Sequence, residues 1–168
     1  YYIFNNTDQR YQSARLLFKG MCDSNWEKCG DRYYFHRVFE NQPDLNYHNP
    51  EVLFEMCRSL IFWMEKGIDG FRLDAIPFLW KSDGTDCENL PQTHTLLRFI
   101  RAIVDYLRRG TLLLAEACQP PSNVIQYFGN GDECHAAYHF PLMPQIFRAL
   151  AEQKRDPIIR VLDPSVTP

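Results

Sequence analysis

Apolar residues recur at helical spacing in several stretches of the chain. The first stretch follows Asn49, a good N-cap that precedes a proline, and its apolar stripe continues to Gly67, a typical C-terminal stop. The remaining stretches predict two further helices near residues 93–109 and 142–153, and a shorter helix at 121–128.

The segments between these helices predict β-strands at residues 68–76, 111–117 and 133–140. Residues 111–117 form a near-continuous apolar run, which is typical of a parallel strand buried on both faces. Helices and strands therefore alternate, and this order predicts an α/β fold with a parallel sheet. A doubly wound sheet and a (β/α)8 barrel both fit. No glycine-rich nucleotide-binding loop follows a predicted strand.

Residues 1–49 differ from the rest of the chain. They are irregular, aromatic and rich in Asn, Asp and Arg. Short strands and loops are expected there, including a strand at 33–38, where β-propensity is high.

Composition narrows the functional classes. Hydrophobic residues make up 45% of the chain and charged residues 23%, which is ordinary for a globular protein and argues against disorder. The net charge is −3 with no basic patch, so nucleic acid is not an expected partner. No apolar run reaches the roughly 18 residues that a membrane span needs. The six cysteines lack metal-ligand spacing and are expected to be scattered thiols of an intracellular, cytoplasmic protein.

The candidate chemistry lies in the predicted strands. In the first strand, Arg72 and Asp74 alternate with the apolar residues Phe71, Leu73 and Ala75 and so fall on the opposite face. A fixed cation at Arg72 would keep the Asp74 carboxyl group ionised and orient it.

Asp74 and Glu116 each fall near the C-terminal end of a predicted parallel strand. Neighbouring strands lie ~4.8 Å apart, so the two carboxyl groups can share one site, and retaining glycosidases need two carboxyl groups about 5–5.5 Å apart. A carboxylate at a strand end is also often a helix cap or an ion-pair partner. Strand position alone therefore leaves both a catalytic and a structural role open for Asp74 and Glu116. No HxH or HExxH spacing supports a metal site.

Three motifs sharpen this interpretation. They are QPDLN at residues 42–46, GFRLDA at 70–75 and LAEA at 114–117. In this order they resemble the loop signature, the fourth-strand nucleophile motif and the fifth-strand acid/base motif of the α-amylase clan of glycoside hydrolases. Similarity to the clan's trehalose synthase (maltose α-D-glucosyltransferase) family extends over nearly the whole chain, through residues 7–11, 36–39, 85–91, 131–135 and 139–144.

The resemblance implies a fragment of a (β/α)8 TIM barrel. Residues 1–49 would be the end of a loop domain inserted after the third barrel strand, and residues 50–168 would carry about strands 4–6. The third catalytic carboxylate of the family would lie outside the chain. The fragment alone is therefore expected to be inactive and, with uncovered strand edges, poorly soluble.

The resemblance also implies an activity. Asp74 would be the nucleophile, Glu116 the acid/base and Arg72 a substrate-binding residue that supports Asp74. The family interconverts the disaccharides maltose and trehalose through a β-glucosyl-enzyme. An α-glucosidase or α-amylase-type hydrolase is the alternative, and a catalytically inactive relative that binds a partner protein is a third reading.

No cofactor is required by this reaction. Members of the family often bind one Ca²⁺ near the loop domain, but Ser13 and Lys81 fall at the expected ligand positions here. Because a lysine ammonium repels calcium, no calcium is expected. The QPDLN residues Gln42, Asp44 and Asn46 are expected to hold their loop to the barrel rather than to act in catalysis. Cys118 departs from the Asn of many relatives.

Overall fold

The computed structural model describes residues 1–163, which contain two three-stranded sheets. The first sheet is antiparallel with the order β1–β3–β2, where β1 is Phe4–Asn5, β2 is Trp26–Cys29 and β3 is Arg32–Phe35. The strand predicted at 33–38 forms but ends at Phe35. Beyond it, the Arg37 N–H donates to the Asp44 carboxylate at 2.8 Å instead of continuing the ladder.

The second sheet is parallel, as predicted, with the order β4–β5–β6. Its strands are Gly70–Leu73 (β4), Leu112–Ala115 (β5) and Ala136–Ala137 (β6). Gly70 lies opposite Leu112 and Leu73 opposite Ala115. Helices connect the strands, which is the arrangement that a parallel sheet needs.

The prediction that Ala75 continues the apolar face of β4 is wrong. The strand ends at Leu73, and Ala75 adopts a left-handed conformation with φ of 50°. Its N–H donates to Glu116 Oε2 at 2.8 Å, so the backbone turns toward the neighbouring strand end. A 3₁₀ turn, Ile76–Phe78, follows.

The third strand of this sheet is also shorter than the predicted 133–140. Glu133 does not enter the strand, because its buried carboxylate pairs with His94 and Arg98 of the helix between β4 and β5. The His135 ring nitrogen Nδ1 accepts the N–H of Leu113 at 3.1 Å and so takes a place in the ladder. Tertiary contacts therefore limit this strand to two residues.

The predicted helices all form. Helix α1 is Pro50–Glu65, and the Asn49 side chain caps it by accepting the N–H of Glu51 at 3.1 Å. The remaining helices are α2 (Pro91–Leu107), α3 (Pro121–Val124, continued by the 3₁₀ turn Ile125–Phe128), α4 (Leu142–Glu152) and α5 (Asp156–Leu162). Helix α2 begins two residues before the predicted start, at a proline that suits the first helical position. Helix α5 was not predicted.

Three apolar clusters form the core. One packs α1 and α2 against the parallel sheet, through Cys57, Met64, Ile100, Val104 and Leu113. A second surrounds the ends of β4 and β5 and includes Ile76, Leu97, Ala115, Ala117, Tyr127 and Cys134. The third belongs to the antiparallel sheet but also takes Cys87 from the loop between β4 and α2.

That loop (residues 74–90, the β4–α2 loop) is therefore packed against residues 1–49 as well as against the parallel sheet. Helix α4 packs chiefly on α5, and its apolar residues Met143, Ile146, Phe147 and Leu150 are exposed. Among residues 1–163, no helix is long and apolar enough to cross a membrane.

Candidate active site

The register of β4 and β5 brings Asp74 and Glu116 together. Each residue directly follows its strand, and the last paired residues are Leu73 and Ala115. The Glu116 N–H donates to the Leu73 carbonyl at 3.0 Å, which extends the ladder by one bond. Because both strands run in the same direction, the two carboxyl groups lie at the same edge of the sheet, as the sequence predicted.

Arg72 lies between the two carboxylates. Its Nη1 is 2.6 Å from Asp74 Oδ1, and its Nη2 is 3.9 Å from Glu116 Oε1. Burial alone would lower the pKa of Arg72, but the hydrogen bond with Asp74 and the charges of both carboxylates outweigh burial and raise its pKa. The predicted contact between Arg72 and Asp74 is present, and it extends to Glu116.

The two carboxyl groups differ in accessibility. The Asp74 side chain is 73% exposed, whereas that of Glu116 is 20% exposed. Glu116 is also held by the Ala75 N–H. An accessible carboxylate suits attack on a sugar carbon, and a restrained carboxyl group suits proton transfer to a fixed oxygen.

A cavity of about 460 Å³ opens on the Asp74 side of this pair, and Glu116 does not line it. Asp74 and Arg72 line it together with Arg37, Gln42 and Asp44 of the N-terminal region and with side chains of helix α1. The arrangement places residues from before helix α1 and from the end of β4 on one concave surface. Concave sites with a few convergent polar groups are typical ligand sites.

The QPDLN segment is tied down by Asp44. One carboxylate oxygen accepts the Arg37 N–H, and the other pairs with the ammonium group of Lys81. The Asp44 backbone bonds to Ile3 and Phe35. These contacts fit the predicted holding role of the segment; Gln42 lines the cavity, whereas the Asn46 side chain accepts the His48 N–H.

The surroundings of Lys81 bear on metal binding. The side chain is 3% exposed and its ammonium donates to the Phe78 carbonyl as well as pairing with Asp44. Nearby Asp83 bonds through one oxygen to Arg10 Nε at 2.8 Å and through the other to the Tyr11 N–H at 2.9 Å. The pKa of Asp83 is lowered, chiefly by the hydrogen bond from the Tyr11 backbone N–H. Within the described chain, no group of three or more His, Cys, Asp or Glu side chains could hold a metal ion.

Sequence reasoning missed two contributors to this site. Ala75 supplies an N–H to Glu116, but alanine carries no turn signal, so nothing in the sequence pointed to it. Tyr138 follows β6, and its ring centroid lies 5.9 Å from the Arg72 guanidinium carbon. The available signal was an aromatic residue near the C-terminal end of the predicted strand at 133–140.

Cys118 is exposed, and all six cysteines are free thiols in the described structure.

Comparison with known proteins identifies the family of this chain. Residues 1–162 match the family described as the α-amylase catalytic domain. The chain is 48% identical, over 96% of its length, to the trehalose synthase/amylase TreS of Mycobacterium tuberculosis, and 43% identical, also over 96% of its length, to a trehalose synthase of Thermus thermophilus. It spans 28% of the first of these proteins and 17% of the second.

Solved structures give the same result. A family GH13_31 enzyme superposes with a TM-score of 0.72 at 29% identity, over 84% of this chain and 30% of that one. The trehalose-6-phosphate hydrolase of Bacillus licheniformis superposes with a TM-score of 0.69 at 26% identity, over 83% of this chain and 27% of that one. The chain belongs to the α-amylase family.

Proposed function

We propose that the whole protein is a retaining α-glucoside-processing enzyme that interconverts maltose and trehalose by intramolecular glucosyl transfer. The observation that carries the proposal is the pair Asp74 and Glu116, bridged by Arg72 at the ends of two adjacent parallel strands. The identity of the chain to proteins named trehalose synthase supports the choice of substrate.

The proposed chemistry has two steps. Asp74 attacks the anomeric carbon of the glucosyl unit while Glu116 donates a proton to the glycosidic oxygen, so the C–O bond breaks and glucose leaves. Glu116 is then a carboxylate and removes the proton from a different hydroxyl of the same glucose as that oxygen attacks the β-glucosyl-enzyme. The bond to Asp74 breaks, and the product has the α configuration of the substrate.

The same proposal assigns the architecture. The β4, β5 and β6 strands become about strands 4–6 of a (β/α)8 barrel, with residues 50–168 in the catalytic domain and residues 1–49 in the inserted loop domain. A third carboxylate would come from elsewhere in the whole protein. The exposed apolar face of α4 supports this arrangement, because the remaining barrel would cover it. Without that third carboxylate, the chain alone is expected to be inactive.

The reaction needs no cofactor, and we expect no calcium beside the loop domain. The buried ammonium of Lys81, which pairs with Asp44, would repel a cation at the expected ligand position. Absence of nucleic-acid and membrane partners and a cytoplasmic location remain predictions from composition.

A hydrolase is the alternative, because the same two carboxyl groups transfer the glucosyl unit to water when water reaches the intermediate first. One relative carries both names, trehalose synthase/amylase. A catalytically inactive binding protein is less favoured, since both carboxyl groups and Arg72 are present and in contact.

Product analysis from maltose tests the function. The whole protein is expected to form trehalose with a smaller amount of glucose, and a Glu116→Gln variant is expected to form neither at a comparable rate. Glucose alone would support the hydrolase. No product from the wild-type protein would contradict both.

A further inference from the structure

Glu88 of the β4–α2 loop connects three separate parts of the chain. Its carboxylate pairs with Arg37 from the segment after β3 and with Arg15 at 2.7 Å, and it accepts the Gln119 side-chain amide at 2.9 Å. Gln119 lies three residues after Glu116, in the turn that follows β5. The Glu88 side chain is only 7% exposed.

The ion pair between Glu88 and Arg37 is important for stability because both side chains are buried. The Arg37 side chain is 1% exposed and packs with its guanidinium carbon 4.9 Å from the centroid of the Phe78 ring. Its Nε and Nη1 have no hydrogen-bond partner among the described residues. Glu88 is therefore the carboxylate that compensates this buried cation, and its removal would leave the cation unpaired.

The backbone around Glu88 is held in an unusual conformation. Cys87 and Asn89, on either side, both have positive φ, 59° and 52°. Cys87 is buried in the N-terminal core, and Asn89 accepts the Tyr127 hydroxyl at 2.6 Å. A residue with a β-carbon, such as cysteine, rarely adopts this left-handed conformation unless its surroundings hold it there. The carboxylate of Glu88 is thus fixed from both sides.

Hydrogen bonds hold the turn that follows β5 at both of its ends. Ala117 is buried, and its carbonyl accepts the Gln119 N–H at 2.9 Å, so the segment from Glu116 to Gln119 is tightly bent. Glu88 holds the side chain at the far end of this bend, while the Ala75 N–H holds the Glu116 carboxylate at the near end.

We propose that Glu88 is a positioning residue for Glu116: through Gln119 it fixes the turn that carries the acid/base, and through Arg37 it joins that turn to residues 1–49. The inference rests on the proposed function of Glu116 and adds a residue that determines where its carboxyl group lies. Burial would raise the pKa of Glu88, but hydrogen bonds from Arg15 and Gln119 and the charge of Arg37 outweigh it and lower the pKa, so the group remains a carboxylate at neutral pH.

The test uses the whole protein and two substrates. Maltose needs a proton from Glu116 for its leaving glucose, whereas 4-nitrophenyl α-glucoside releases a stable phenolate and needs little acid assistance. Gln119→Met keeps the Glu88–Arg37 pair but removes the bond to Glu88. We expect it to lower kcat for maltose about tenfold more than kcat for the aryl glucoside, because a small displacement of an acid is costly.

Glu88→Met breaks both connections and is expected to show the same selective loss together with a lower melting temperature. The double variant Arg37→Met with Glu88→Met removes the unpaired cation. Its melting temperature is expected to recover, while the selective loss on maltose persists because Gln119 still lacks its acceptor.

Glu133→Gln is the matched control. Glu133 is also a buried carboxylate, but it pairs with His94 and Arg98 of helix α2, whereas Gln119 bonds to Glu88. We expect equal losses on both substrates. Equal losses in Gln119→Met or Glu88→Met would overturn the positioning role while leaving the proposed function intact. A wild-type protein that cleaves neither glucoside would overturn the proposed function itself, and the role with it.

Discussion

At the scale of single residues, Arg72 contacts both carboxyl groups of the proposed site. Two neighbouring carboxylates disfavour each other's ionisation, and a cation in contact with both relieves that repulsion. Arg72 contacts Asp74 closely and Glu116 at 3.9 Å, so its stronger partner is the proposed nucleophile. This asymmetry matches the two roles, since the nucleophile must stay ionised and the acid must hold a proton.

Replacing Glu116 with alanine should lower kcat on maltose by about 10²–10⁴, the usual contribution of a positioned acid or base. On 4-nitrophenyl α-glucoside the first step should survive, and added azide should accelerate turnover because it needs no deprotonation. The expected product is α-glucosyl azide, identified by NMR. Absence of any azide effect would contradict the role of Glu116 as the base.

At the scale of secondary structure, the distance between β4 and β5 depends on Gly70. A Cβ at this position would lie 2.8 Å from Leu112 Cβ and 3.2 Å from the Leu112 carbonyl oxygen. Real Cβ atoms do not approach so closely, and a backbone oxygen cannot move aside as a flexible side chain can. The first residue of the GFRLDA motif thus permits the strand pairing that places Asp74 beside Glu116.

A Gly70→Ala variant of the whole protein should lose about 1–3 kcal/mol of unfolding free energy, as overpacked sites usually do. It should also lose activity, because the strands that carry the two carboxyl groups are forced apart. Urea unfolding and kcat on maltose measure the two effects. Gly110→Ala is the control: its φ is +93° but its Cβ would meet nothing within 4 Å, so stability should fall without a comparable loss of activity.

Many of the helices and strands could be predicted from the sequence, and particular residues show why. Helical periodicity and the Asn49 cap located α1, and the apolar run at 111–117 located β5, because both are local signals. The end of β4 was not predictable: alanine at position 75 carries no turn signal, and its left-handed conformation depends on Glu116, 41 residues away. The length of β6 similarly depends on pairs between Glu133 and helix α2.

The candidate site likewise contains residues that could be predicted from the sequence and residues that could not. The proximity of Asp74, Glu116 and Arg72 could be predicted from motifs and strand alternation. Glu88 could not be separated from the other acidic residues of its loop, because its environment is assembled from Arg15, Arg37 and Gln119, which are distant in sequence.

At the scale of the whole molecule, residues 1–49 and the β4–α2 loop share one core and one set of buried charges. Cys87 packs in the N-terminal cluster, and the Lys81–Asp44 and Glu88–Arg37 pairs join the same two regions. Loss of one partner of either pair is expected to lower the stability of this contact region, since it leaves the other charge buried and unpaired. The division into a loop domain and a barrel domain stays a prediction.

The Lys81–Asp44 pair leads to a prediction about metal dependence. Chelation with EDTA should leave the melting temperature of the whole protein unchanged, because the Lys81 ammonium supplies the positive charge at Asp44. Lys81→Met should destabilise the protein by about 3–5 kcal/mol, the cost of breaking a buried pair. Both are measured by thermal and urea unfolding. A melting temperature that falls on chelation and returns with added calcium would refute this account.

Covalent trapping tests the central assignment most directly. The whole protein is treated with 5-fluoro-α-glucosyl fluoride, whose fluoride leaves without a proton and whose ring fluorine slows breakdown of the intermediate, and the digested protein is mapped by mass spectrometry. A single 5-fluoroglucosyl label is expected on Asp74 and is expected to be absent in the Asp74→Asn variant. A label on another carboxylate, or an unlabelled enzyme that still turns over maltose, would contradict this assignment.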